Sequence, residues 1–220
     1  MTRNRFQAQG NMTPMFRWFA GRAARKEAAE KIYDAIVAQS RNAAFYLRCG
    51  VPDTLSGRFD MLVIHMFVVL QILKLGGREG QLLAQEIVEA FIREMDTMVR
   101  DLGVSDRNVP KEVRKIAQLF YGQLLAYSTA LQRNDAKGLA SEVWKSFQSG
   151  EAASASIAAD SISAYIRGAI KNIQEMPLNM LLQGNIRFPP ELPSRRKPSC
   201  APLENAPTVS ISRLCRDNAI

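Results

Sequence analysis

Through Met176 the apolar positions recur every three or four residues, a period that predicts a succession of helices. Between Arg22 and about Arg48, Ala24, Ala28, Ile32, Ala35, Ile36 and Ala43 line one face, with Glu27, Glu30, Lys31 and Asp34 between them, so an amphipathic helix is expected. Gly50 and Pro52 then break the pattern. From Met61 to Leu73 the chain is apolar on every side, bracketed by Asp60 and Lys74 and interrupted by His65 and Gln71. A run this short makes a helix of about 20 Å, whereas a bilayer span needs about 20 residues. It therefore reads as a helix enclosed by other helices, the central element of the fold, ending at Gly76-Gly77.

Residues 81–102 carry Leu83, Ile87, Phe91, Met95, Met98 and Leu102 on one side and Glu86, Glu89, Arg93, Asp96 and Arg100 on the other. Pro110 suits the first turn of a further helix, with Val113, Ile116, Ala117, Phe120, Leu124, Tyr127 and Leu131 facing inward and Leu119 and Leu125 off that stripe. Asn134 or Asp135 caps a shorter helix through Trp144 and Phe147. Residues 152–176 form an alanine- and serine-rich helix with Ile157, Ile162, Tyr165, Ile166, Ile170 and Ile173 on its apolar side, stopped by Pro177. No strand-like alternation precedes Arg187. The expected fold is all-α: one domain of about six or seven helices over residues 27–188, around a buried central helix. A basic arm over 1–26 precedes it, and a proline-rich tail over 189–220, expected to be disordered, follows.

The distribution of charge adds to this picture. The net +8 divides unevenly, because the arm holds Arg3, Arg5, Arg17, Arg22, Arg25 and Lys26 without an acid, the tail is also basic, and the body is close to neutral. Basic ends favour an anionic surface, either a bilayer or ribosomal RNA, and Phe16, Trp18 and Phe19 among the arginines have the composition of a short interfacial helix. Arg17, Trp18, Phe19, Arg22, Arg25 and Lys26 are thus the expected membrane or ribosome contact. Cys49, Cys200 and Cys215 are odd in number and widely spaced, which fits a reducing compartment better than a disulfide framework or a zinc cluster.

Candidate chemistry is sparse. His65 is the single histidine and lies in the most apolar helix, where a core imidazole is a better reading than a general base. A di-iron bundle would need Glu-x-x-His, but Leu62 stands three residues before His65. Gly76 to Gly80 lacks a preceding strand and the Lys-Ser/Thr of a phosphate loop, and reads as a cap followed by a tight turn. No catalytic residue, metal or cofactor is expected. The alternative to a binding protein is a nucleic-acid-binding regulator using the basic arms with Lys111, Arg114 and Lys115, although the apolar character of their helix argues against sequence-specific DNA binding. Met61, Met66, Met95, Met98, Met176 and Met180 would suit an adaptable apolar groove, or fill core gaps.

Several separated motifs carry a resemblance. Val51-Pro52-Asp53-Thr54, Gly57-Arg58-Phe59-Asp60 running into His65, Phe120-Tyr121-Gly122, Ala126-Tyr127, Leu139-Ala140 with Trp144, and Tyr165-Ile166-Arg167 together resemble the ubiquinol-cytochrome c chaperone family over roughly residues 30–190, its bacterial branch more than its mitochondrial one. The resemblance implies a non-enzymatic, all-helical assembly factor for the cytochrome bc complex, complex III, with newly made cytochrome b as client. It also implies a small partner protein and a position near the ribosome exit, as in the mitochondrial branch. The implied place is cytoplasmic and peripheral at the inner membrane face, or the matrix side in an organelle. His65, Tyr121, Tyr127, Trp144 and Arg167 are the residues it assigns to the client- or partner-binding surface or its support. One departure stands out: Ser128 and Thr129 follow Tyr127 where the mitochondrial pattern has acids.

Overall fold

A computed structural model describes residues 14–147 and 152–189, with side chains described for 21–147 and 158–189. Within these, the α-helices in chain order are α1 (Pro14–Ser40), α2 (Ala43–Leu47), α3 (Leu55–Leu73), α4 (Gly77–Asp101), α5 (Val109–Gln132), α6 (Ala136–Ser146), α7 (Ala152–Gln174) and α8 (Leu178–Leu182). Six are long, two are single turns, and no strand occurs among the described residues. The fold is all-α, as the periodicity predicts.

The motif at residues 51–60 is the machinery that starts α3. Thr54 is extended and its Oγ1 accepts a hydrogen bond from the Gly57 amide at 3.1 Å, which satisfies one of the free donors of the first turn. Gly57 has no alternative, since a Cβ there would stand 2.1 Å from the Pro52 carbonyl oxygen. Arg58 returns to Asp53 through a 2.7 Å ion pair and lies over the Tyr46 ring. The helix then buries 12 of its 19 residues, among them Val63, Ile64, Phe67 and Val68, and packs against α1, α4, α5 and α7. It is the central element. By length and composition the helical run Leu55–Asp101 is apolar enough to cross a membrane, and 67% of its most apolar window is buried inside the fold.

Several local expectations change. A turn at Arg41 and the Asn42 cap split the helix expected over 22–48 into α1 and α2. Gly77, at φ 60°, turns the chain directly into α4, so Gly77–Gly80 is the first turn of that helix rather than a separate turn. Gly80 permits the corner, because a Cβ would meet the Leu73 carbonyl oxygen at 2.3 Å. Between the two candidate caps of α6, Asp135 accepts the Gly138 amide at 2.8 Å, while Asn134 is left-handed at φ 50°. Leu102, expected inward, is 56% exposed because α4 ends before it. Met61, Met66 and Met95 are buried and Met98 and Met176 pack against the core, so these fill gaps, whereas Met180 is 36% exposed.

Candidate functional site

An open trough of about 720 Å³ runs between α3, α4 and α5, within the roughly 300–1,000 Å³ of typical ligand sites. Leu70 forms its floor, Ala84, Val88 and Ile92 one wall, and Tyr121 the other, with Gln85, Glu89 and Arg93 along the α4 side. The wall exists because α4 is apolar over a wider arc than its buried stripe of Leu83, Ile87, Phe91 and Met95 requires. On α5, Phe120 is fully buried against Phe91, and its neighbours Leu119 and Tyr121 are left on either flank, 53% and 55% exposed. Leu125 lies one turn beyond Tyr121 on the same side and is 69% exposed. No lining residue is a histidine, cysteine, serine or threonine, and the largely apolar lining suits an apolar segment.

α3 also carries two buried polar junctions. His65 is wholly buried; the Met61 carbonyl at 2.7 Å makes Nδ1 the protonated nitrogen, so Nε2 accepts from the Tyr165 hydroxyl at 3.0 Å. Tyr165 in turn accepts from Gln39 Nε2 at 3.3 Å. Phe45 stands edge-on to both rings and Phe188 edge-on to His65, so α1, α2, α3, α7 and the segment after α8 meet at one imidazole. Burial pushes the imidazole down to about 4 from the usual 6.5, opposed by the hydrogen bond to Met61, and pushes the Tyr165 phenol up. A neutral, fully paired imidazole locks elements together.

The second junction joins α3 to α5. Asp60, read from sequence as the outer bracket of the apolar run, is only 3% exposed, and its Oδ1 accepts from Gln123 Nε2 at 2.9 Å. Burial raises its pKa to about 7, against the lowering effect of the amide. Beside it Tyr127 is buried, sharing a 3.0 Å hydrogen bond with the Ser146 hydroxyl, its phenol pushed up chiefly by burial.

The structure scatters the residues singled out from sequence. His65 and Tyr127 are buried supports in different junctions, and Tyr121 lines the trough. Trp144 is half-buried on α6, in a smaller recess with Lys137 and Asp160. Arg167 is half-buried on α7, its Nε and Nη2 without a hydrogen-bond partner among the described residues. Of the basic set, Arg22 and Lys26 are exposed, Arg25 reaches Glu79 on α4 at 3.4 Å, and the side chains of Arg17, Trp18 and Phe19 lie outside the described residues, as does the tail from residue 190. Lys115 pairs with Glu112 at 3.0 Å, while Lys111 and Arg114 are exposed. Sequence reading missed Ala84, Val88 and Ile92, whose regular spacing next to the inward stripe was the available sign, and Asp60, whose burial had none.

Comparison with known proteins fits this geometry. The model of the ubiquinol-cytochrome C chaperone family matches residues 47–188, and the chain belongs to that family. The Cbp3 homolog from Brucella abortus, known from a crystal structure, is similar at 32% identity with a TM-score of 0.67, covering 79% of this chain and 94% of that one. Ubiquinol-cytochrome c reductase complex assembly factor 1 of Mus musculus is 26% identical over 84% of this chain and 62% of its own length. Its Homo sapiens counterpart is 29% identical over 56% of this chain and 40% of its own length. The chain thus spans less than two thirds of the length of these curated relatives. The motif at 51–60, the trough and the Asp60–Gln123 pair fall inside the matched region, as do His65 and Tyr165, while Gln39 and Phe45 of the His65 junction precede it.

Proposed function

We propose that this protein is a non-enzymatic assembly factor for ubiquinol-cytochrome c reductase, complex III, and that it holds an apolar segment of newly made cytochrome b in the α3–α4–α5 trough. Family membership supports the assembly role. The observation that carries the binding mode is Tyr121: a large aromatic on a family motif, left 55% exposed on an open apolar wall with Leu125 beyond it. The exposed Arg22 and Lys26 support peripheral contact with an anionic bilayer or a ribosome, at the cytoplasmic face of the inner membrane or the matrix side in an organelle. Trp144 and its recess are the surface proposed for a small partner protein.

A photo-crosslinking residue placed at Tyr121 or Leu125 in translating cells tests the reading. Capture of cytochrome b at these positions, and not at exposed Lys137, is the expected result. Capture of other chains only, or normal complex III when the gene is deleted, overturns it.

A further inference from the structure

We infer that Asp60 carries a proton in the folded protein and forms a reciprocal acid–amide pair with Gln123, making the α3–α5 junction a proton-sensitive clasp. The geometry leads there. Gln123 Nε2 donates to Asp60 Oδ1 at 2.9 Å, yet Asp60 Oδ2 and Gln123 Oε1 are both buried without a hydrogen-bond partner among the described residues. Two lone-pair oxygens left on one hydrogen-bonded acid and amide are what a carboxylate leaves there; a proton on Oδ2, donated to Oε1, pairs both at once.

The surroundings favour the proton. No lysine or arginine nitrogen lies within ion-pair distance of Asp60 among the described residues. From α5 the facing titratable group is Tyr127, a phenol that burial keeps neutral, with Glu142 of α6 acting on that phenol from behind. No charged group from α1, α4 or α7 is among the influences on Asp60, and on its own helix Arg58 is exposed and committed to Asp53. Burial accordingly raises the acid to about 7.

Gln123 sits on α5 between Tyr121 and Leu125. Loss of the proton places a charge in a dry junction and leaves both oxygens unpaired, a cost relieved by parting α3 from α5, the helix that carries Tyr121. That consequence for binding rests on the trough being the client site; the protonation does not.

Carboxyl carbon NMR of the full chain, with Asp60→Asn deleting the resonance to assign it, reads the proton directly. A midpoint near 7 is expected, and one near the ordinary value of about 4 overturns the inference. Asp60→Asn keeps the reciprocal pair, because its amide donates to Gln123 Oε1 at every pH. Relative to that variant, the wild-type unfolding constant should rise about tenfold per pH unit from about 4 to about 7, and equal slopes overturn the inference. Hydrogen exchange of α5 should show the same divergence; parallel α5 protection in the two proteins overturns the clasp. None of these readouts involves a client, so failure of the client reading leaves them unaffected.

Discussion

His65 and Asp60 lie five residues apart on the same helix and are both buried, yet their junctions are built on opposite terms. At His65 every polar atom is paired: the imidazole donates to Met61 and accepts from Tyr165, and three aromatic rings close around it. At Asp60 one hydrogen bond is made and two acceptors are left over. A satisfied buried network specifies a single arrangement, whereas a half-satisfied one can exist in two. The contrast teaches that a buried ionisable group is best classified by counting its partners, since burial is common to both.

The His65 junction depends most on its aromatic lid. Phe45→Ala removes a fully buried ring that meets both His65 and Tyr165, and should destabilise the protein by about 3–5 kcal/mol in urea unfolding. A loss under about 1 kcal/mol would show the junction to be loosely packed.

Next in size are the pH slopes, which have opposite signs. His65 stays neutral in the fold down to about 4 while the unfolded chain takes up a proton below 6.5. Its contribution is therefore lost as pH falls through that window, at up to about 1.4 kcal/mol per unit. Asp60 is raised in the fold, so its contribution is present at low pH and lost as pH climbs toward about 7. The two slopes offset each other in the wild type between pH of about 4.5 and 6.5. Urea midpoints across that range should be nearly flat for the wild type, fall toward acid in Asp60→Asn and fall toward neutral pH in His65→Gln. A wild type as steep as Asp60→Asn would end the symmetry.

Smaller still, Tyr165→Phe leaves the buried imidazole nitrogen without its donor and should cost about 1–3 kcal/mol, read from the same unfolding curves. At the bottom of the scale, Tyr121→Ser and Leu125→Ser change exposed positions and should shift stability by no more than about 0.5 kcal/mol. Their expected phenotype is loss of assembled complex III at unchanged protein level, measured by haem spectra and immunoblot. A stability loss as large as at Tyr165 would mean that the trough is core and not a binding face.

The amino-acid sequence was sufficient for the six long helices, their order and the central place of α3, though not for the single turns α2 and α8, because the spacing of apolar residues records which face of a long helix must leave water. Local stops and starts were legible in part: Pro110 in the first turn of α5 and Pro177 after α7 act through their own backbone, while the α6 cap stayed open between Asn134 and Asp135 until the fold decided for Asp135. What lies opposite a given face is not a local property. Tyr121 and Phe120 are adjacent aromatics, and only the approach of α4 decides that one is core and the other the wall of a trough. Asp60 looks like a solvent-facing boundary until α5 closes over it, and Arg25 belongs to a basic arm until Glu79 of α4 comes within reach. Burial, ion pairing and the state of a proton depend on neighbours far away along the chain, and the tertiary fold is what supplies them.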